Sequence, residues 1–177
     1  KQCCWITISN KWYGTNYRNP FGTHDYLHGS TFLNHVIDRV TISSMNFDAI
    51  KTVLILQPEN PDGDSVASSL ALEEILGDLG KDVIIYGYVH VPDYLHYISG
   101  ADRITEEFPN TFDATIIVDT VTKSLLENTL KGDKLAAISR KPALILDHHP
   151  VENNLPINHA EFYSGEGECV ATGEIVY

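Results

Sequence analysis

The chain has 177 residues, a net charge of −12 and an apolar fraction of 43%. This length is sufficient for one domain with a hydrophobic core, and no stretch approaches the roughly 18–20 apolar residues that cross a bilayer. The acidity argues against long duplex nucleic acid as a partner, because such binding needs a basic face. A short phosphorylated substrate remains compatible if bound cations supply positive charge. The first residues contain no apolar signal region, and three cysteines make no disulfide framework, so we expect a cytoplasmic protein.

The composition changes near residue 44. Residues 1–43 are rich in aromatic side chains, lack Glu and show little periodicity, which favours a poorly ordered N-terminal extension. A regular domain is predicted for 44–177. It begins with a buried strand at 51–57, followed by a helix that Asp64 or Ser65 caps and that runs to about Leu79, with Gly80 just beyond its end.

Further strands and helices alternate along the rest of the chain. Strands are predicted at 82–88, 114–119 and 143–147, and helices at 92–98, 122–130 and 170–177, with Gly132 ending the middle helix and a loop over 150–160. Alternation at this spacing indicates an α/β fold with a mostly parallel sheet flanked by helices.

Acidic and imidazole side chains follow three of the predicted strands. Asp62 and Asp64 come after the first strand, Asp119 ends the third, and Asp147-His148-His149 ends the fourth. Ligands of parallel α/β sheets gather beyond the carboxyl ends of the strands. Neighbouring carboxylates repel each other unless a proton or a cation lies between them, and carboxylate with imidazole suits Mn²⁺, Mg²⁺, Zn²⁺ or Fe²⁺. The pattern therefore predicts a metal site at this edge.

Each element of this pattern also has an ordinary explanation. Asp-Gly-Asp is commonly a turn, a His-His pair commonly packs in a core or on a surface, and Asp119 at a strand end can be a helix cap, in competition with Thr120 or Thr122. The joint occurrence at strand ends favours the metal site. The remaining histidines lack such neighbours and are interpreted as structural or surface residues: His24, His28, His35, His90, His96 and His159.

These residues resemble the DHH phosphoesterase family, most closely its nanoRNase/pAp-phosphatase and RecJ-like branch, over about residues 48–177. The motifs that carry the resemblance are Asn60-Pro61-Asp62-Gly63-Asp64, Ile117-Val118-Asp119-Thr120, Asp147-His148-His149-Pro150 and the start of a fourth at Ala171-Thr172-Gly173-Glu174. The resemblance implies a DHH-type catalytic domain that binds two Mn²⁺ ions, with Mg²⁺ as the alternative ion, and that hydrolyses phosphate esters.

The resemblance also implies roles for individual residues. Asp62 would bind the first ion, Asp64 and His148 the second, and Asp119 would bridge the two. His149 would contact the substrate phosphate, and the ligands would be supported from behind by Asn60 and Asp147. The implied substrate is a short oligonucleotide (nanoRNA) or 3′-phosphoadenosine 5′-phosphate (pAp). No membrane partner is expected, and a homodimer is an open alternative for the oligomeric state.

Two departures from the family pattern leave alternatives open. Pro58 stands where the family has a metal-binding His, and proline offers no ligand atom. Glu59 would point to the opposite face if the strand continued, so we expect Gln57 or a water to compensate. A later metal-binding Asp motif and the C-terminal DHHA1 domain are not within these 177 residues, so we expect an incomplete domain. The alternatives are a degenerate, non-catalytic nucleotide- or metal-binding domain and a family II-type inorganic pyrophosphatase.

Overall fold

Five parallel strands form the centre of the fold. The computed structural model describes residues 47–150, 154–165, 167 and 169–176, so the predicted extension over 1–43 lies outside the described residues. The sheet has the order β2-β1-β3-β4-β5, and every pair of neighbouring strands is parallel. The strands are β1 Thr52–Leu56, β2 Asp82–Tyr86, β3 Ala114–Val118, β4 Ala143–Asp147 and β5 Glu161–Ser164.

The central strands are buried on both faces. In β1, Val53 and Ile55 pack in one hydrophobic cluster, whereas Leu54 and Leu56 pack in a second cluster on the other side of the sheet. Successive side chains of a strand point to opposite faces, and strands covered on both faces are apolar throughout. The uninterrupted apolar runs in the sequence follow from this double coverage.

Three α-helices of the described residues cover the sheet: α1 Gly63–Asp78, α2 Gly132–Ile138 and α3 Thr172–Val176. Helices α1 and α3 contribute Leu72 and Ile175 to the first cluster, and α2 contributes Ile138 to the second. Within the described ranges, no helix combines the length and the apolar character needed to cross a membrane.

The strand order creates a switch point between β1 and β3. The chain leaves β1 through α1 toward β2 on one side, and the later strands β3, β4 and β5 extend the sheet on the other side. The loops after β1 and β3 therefore diverge, and a crevice opens at the carboxyl ends of these two strands, which is where such sheets bind ligands.

The predicted helix over 122–130 is wrong. Only a 3-10 turn, Lys123–Leu125, forms there, and Gly132 begins α2 instead of ending a helix. The carboxylate of Glu59 accepts hydrogen bonds from the backbone N–H groups of Asn128 and Thr129. Leu126 is fully buried. The segment is therefore a loop that a distant carboxylate and a buried side chain hold in place.

Other differences concern short elements. The predicted helix over 92–98 is reduced to the 3-10 turn Asp93–Leu95, with Pro92 preceding it. The predicted loop over 150–160 is followed by an unpredicted strand, β5. Gly80 follows the C-cap residue Leu79 with φ +74°, as the prediction placed it.

Candidate metal centre

Asp62 occupies the start of α1. It is the N-cap residue, and its Oδ1 accepts hydrogen bonds from the N–H groups of Asp64 and Ser65, each at 3.0 Å. The hydroxyl of Ser65 accepts the N–H of Asp62 at 2.9 Å in return. This arrangement is a capping box, in which both partners satisfy N–H groups that the helix cannot. The cap is therefore Asp62, and the prediction of Asp64 or Ser65 is wrong because the helix already begins at Gly63.

Asp64 joins the start of α1 to the start of α3. Its Oδ2 accepts the N–H of Thr172 at 2.7 Å, and its Oδ1 accepts the N–H of Gly173 at 3.0 Å and the hydroxyl of Ser68 at 3.2 Å. A charged acceptor strengthens such bonds. The carboxylate is thus oriented by donors from two helices.

Asp119 lies at the end of β3 in an unusual backbone conformation. Its φ is +59°, a left-handed conformation that non-glycine residues rarely adopt except Asn and Asp. Its N–H still donates to Leu146 O at 2.8 Å, so the chain turns directly after the last rung of the ladder with β4. The side chain is 4% exposed, and its Oδ1 accepts the hydroxyl of Thr172 at 2.8 Å.

The environment of Asp119 disfavours its charge. Burial raises the pKa of Asp119 to about 7, and the hydrogen bond from Thr172 opposes this rise. The negative charges of Asp64 and Asp62 raise the pKa further, whereas His149 lowers it. A buried carboxylate beside two others is stabilised by a cation or a proton. The electrostatics of the described site therefore favour a bound positive charge.

The two histidines after β4 face these carboxylates. His148 Nε2 lies 3.5 Å from Asp64 Oδ2 and 3.7 Å from Asp119 Oδ1, and His149 Nδ1 lies 3.9 Å from Asp119 Oδ1. These separations are too long for good hydrogen bonds. One ligand atom each from Asp119, His148 and His149 lies within 4.8 Å of the others. An ion with ligand distances of about 2.0–2.2 Å would span such gaps.

Asp147 is fully buried at the end of β4 and orients His149. Its Oδ1 lies 2.7 Å from His149 Nδ1 and accepts the backbone N–H of His149 at 3.2 Å. Burial tends to lower the pKa of His149, but the hydrogen bond and charge of Asp147, with the charges of Asp119 and Asp62, produce a net rise. Asp147 Oδ2 is buried without a hydrogen-bond partner among the described residues, so it can accept a hydrogen bond from water or bind a cation.

A small cavity adjoins these residues. Its volume is about 120 Å³, and it is lined by Asp119, Thr120, Thr122, Leu125, Asp147 and His149. The cavity has room for several waters and is open to solvent on one side.

The side chain at position 58 has no ligand atom, and its two neighbours contact other parts of the fold. Pro58 is buried. The carboxylate of Glu59 is used by Asn128 and Thr129, so Glu59 does not contribute to the site. Gln57 is buried, and its Nε2 donates to Ser65 O at 2.9 Å. Its Oε1 is buried without a hydrogen-bond partner among the described residues, and compensation for Pro58 by Gln57 or a water stays a prediction.

The donor set fits divalent ions of the Mn²⁺ or Mg²⁺ type, because carboxylate oxygens predominate. Asp64, Asp119 and His148 would hold one ion, and the unused Oδ2 of Asp62 together with Asp119 would contribute to another. These roles remain predictions. Asn60 is exposed in the turn before α1, and the contacts that the structure describes include no partner for its side chain.

Residues 52–177 match the profile of the DHH family, N-terminal domain. The chain belongs to the DHH family. Among solved structures it is similar to an exopolyphosphatase-related protein from Bacteroides fragilis, with 21% identity and a TM-score of 0.62 over 74% of this chain and 39% of that one. The chain thus spans about two fifths of that protein, and the likeness shows a shared fold. No curated protein sequence matches the chain.

The sequence predicts that the DHH motif and the two Asp motifs lie together, but it does not predict which other residues contact them. Thr172 was noted only as part of a partial fourth motif, yet its N–H and hydroxyl bind Asp64 and Asp119. Thr172 is 53 positions from Asp119 and 108 positions from Asp64 in the sequence. In the local sequence, this role of Thr172 is indicated by the Thr-Gly pair at a predicted helix start, where Thr is a common cap residue.

Proposed function

We propose that this chain is the metal-binding domain of a phosphoesterase that uses two divalent ions, preferably Mn²⁺. The observation that supports the proposal is the convergence of Asp64, Asp119 and His148 at the switch point of the sheet, with His148 Nε2 3.5 and 3.7 Å from the two carboxylates. Three strand ends contribute to one cluster, which is difficult to explain by packing alone.

Asp62, Asp64, Asp119 and His148 would hold two divalent ions, which when bound would supply activation of a water and neutralisation of charge on the phosphoryl group. The chain's own residues would orient the substrate. Asp147 holds Nδ1 of His149, so His149 presents Nε2 to a phosphate oxygen. Its imidazolium form, which Asp147 favours, donates a hydrogen bond from that atom. The cavity beside Asp119 and His149 would receive the phosphoryl group, while the rest of the substrate remains outside.

We propose a short oligonucleotide or pAp as the substrate. Tyr97 supports this class, because its side chain is largely exposed and its hydroxyl lies 3.8 Å from the position of a Cβ at Gly63, between Asp62 and Asp64. An exposed aromatic ring beside a phosphate site can stack a base. A second candidate is an inorganic polyphosphate or pyrophosphate, since the structurally similar protein is described as exopolyphosphatase-related.

The experiment compares three reactions of the chain with Mn²⁺: release of nucleoside monophosphate from dinucleotides, and release of inorganic phosphate from pAp and from pyrophosphate. We expect His148→Ala and His149→Ala to abolish cleavage, and His159→Ala, which alters an exposed histidine outside the cluster, to leave it unchanged. Cleavage of pyrophosphate alone would support the second candidate. Equal residual activity in all three variants would contradict the proposed site.

Pro58 motivates a third possibility, a domain that binds nucleotide or metal without turnover. Pro58→His would restore the imidazole that the family pattern has at this position, and we expect it to increase Mn²⁺-dependent cleavage. If the unaltered protein and Pro58→His both leave every substrate intact while calorimetry shows nucleotide binding, the non-catalytic function is correct and the phosphoesterase proposal is wrong.

A further inference from the structure

A second group of metal-type ligands lies in the loop between β2 and β3. His90, Asp93 and His96 are exposed, and one ligand atom from each lies within 4.8 Å of the others. The three residues are spaced by three along the sequence. Asp93 begins the 3-10 turn Asp93–Leu95 and His96 is its C-cap residue, so these two lie about one turn apart, whereas His90 lies before the turn.

Buried neighbours fix this loop to the core. Val91 and Leu95 are 5% and 3% exposed and belong to the first hydrophobic cluster. Pro92 restricts the backbone between His90 and Asp93. The three ligands therefore project from an anchored turn, and little conformational entropy would be lost when they bind an ion.

Each imidazole of the group already has one nitrogen held in place. His90 Nδ1 lies 3.0 Å from Glu106 Oε1, and His96 Nε2 lies 3.2 Å from Val91 O. Metal-binding histidines characteristically donate their second N–H to a carboxylate or a backbone carbonyl, which fixes the tautomer and the ring orientation. Both rings show this pattern, one with each type of acceptor. Nε2 of His90 and Nδ1 of His96 are then the nitrogens available to an ion.

We propose that His90, Asp93 and His96 form a separate binding site for a borderline divalent cation, with Zn²⁺ as the reference ion. Two imidazoles and one carboxylate suit Zn²⁺, Co²⁺ or Ni²⁺ better than Mn²⁺ or Mg²⁺. Three protein ligands leave a fourth position for water. Binding of Zn²⁺ at this site does not require that the proposed phosphoesterase activity is correct.

A bound ion would also stiffen the segment that reaches the predicted Mn²⁺ centre. Tyr97 directly follows His96, and its hydroxyl adjoins Gly63. Holding His96 therefore holds the backbone next to Tyr97. This connection gives the site a structural role in positioning the loop beside the start of α1.

The test uses Zn²⁺ alone. The background variant is Asp119→Asn, which lacks the buried carboxylate of the predicted Mn²⁺ centre. Asp119→Asn should still bind one Zn²⁺ by calorimetry, and Co²⁺ should give the visible absorption of a nitrogen- and oxygen-ligated ion. Adding His90→Ala and His96→Ala should remove this binding. Adding Asp93→Asn, which keeps the size of the side chain, should weaken it at least tenfold.

His159→Ala in the same background is the matched control, because His159 is exposed and lies outside the cluster. It should leave Zn²⁺ binding unchanged. Circular dichroism in EDTA should show that all variants are equally folded. The proposal is overturned if the variant with Asp119→Asn, His90→Ala and His96→Ala binds Zn²⁺ as tightly as Asp119→Asn alone. It is also overturned if His159→Ala reduces Zn²⁺ binding as much as His90→Ala and His96→Ala together.

Discussion

Replacing Asp119 by Asn should stabilise the metal-free protein at alkaline pH. Burial, with the charges of Asp64 and Asp62, raises the pKa of this carboxyl from 3.8 to about 7. Asn keeps an oxygen that can accept the hydroxyl of Thr172, and Asn tolerates the left-handed backbone at this position. The substitution therefore removes the charge while preserving the local geometry.

The sign follows from proton binding. Between pH 4 and 7 the folded state holds a proton on Asp119 that the unfolded state has lost, so the free energy of unfolding falls as pH rises through this range. Above pH 7, a pKa of about 7 in place of 3.8 makes the free energy of unfolding ~4 kcal/mol lower than it is below pH 4, at 1.36 kcal/mol per pKa unit. About 2–3 kcal/mol of this difference should appear between pH 5 and pH 8.

Urea unfolding in EDTA at several pH values measures this difference. Asp119→Asn should match the unaltered chain near pH 4 and exceed it by ~2–4 kcal/mol at pH 8. Asp82→Asn, at an exposed position, controls for net charge. Mn²⁺ at 100 times its Kd should stabilise the unaltered chain by about 2.7 kcal/mol but not Asp119→Asn. A less stable Asp119→Asn at pH 8 in EDTA would refute the electrostatic argument.

Further predictions concern other parts of the molecule. Asp113 accepts the N–H groups of Lys51 and Thr52, each at 2.9 Å, and these bonds lower its pKa; Asp113→Asn should therefore destabilise the chain at pH 7 in urea unfolding, with the difference vanishing as pH falls below the lowered pKa, and an unchanged difference at pH 2 would contradict this. Tyr97→Ala should raise KM for dinucleotides roughly 5- to 100-fold, since stacking contributes about 1–3 kcal/mol per base, while leaving KM for pyrophosphate unchanged; equal effects on both would exclude stacking. Calorimetry with Mn²⁺ should detect one ion that binds tightly and one that binds more weakly, and Pro58→His should strengthen binding of the second. If the unaltered chain bound two ions equally tightly, the lack of an imidazole at position 58 would not weaken metal binding.

The strands and α1 could be predicted because their signals are local. Continuous apolar runs identify β1, β3 and β4, which are covered on both faces. In contrast, β5 has alternating partial burial and forms only through its pairing with β4. The loop at 122–130 has a helix-like apolar pattern, but Glu59 satisfies the N–H groups of Asn128 and Thr129 across about 70 residues. Local sequence contains no information about such contacts.

The site was predictable in its composition and its location but not in its internal contacts. Parallel strand ends share one edge, so the order of the Asp and DHH motifs was enough to bring them together. The left-handed turn at Asp119 and its hydrogen bond to Thr172 depend on where α3 packs. Likewise, the spacing of His90, Asp93 and His96 becomes informative only once the fold brings one ligand atom from each within 4.8 Å of the others.

Because proline stands at position 58, the two ion sites of the predicted centre have unequal numbers of ligands, and each site is called a half of the centre below. The half around Asp64, Asp119 and His148 has oriented ligands, because Thr172, Gly173 and Ser68 hold the carboxylates in place. The other half relies on Asp62, whose Oδ1 is already occupied by the cap of α1. An ion there would have Asp62 Oδ2 and the bridging Asp119 but no imidazole. If Asp119 is shared between the two ions, as the family resemblance implies, we expect the half with more ligands to fill first and its ion to repel the second. Proline at position 58 therefore affects the second binding event far more than the first, and activity that requires both ions should respond to Mn²⁺ concentration more steeply than binding of the first ion does.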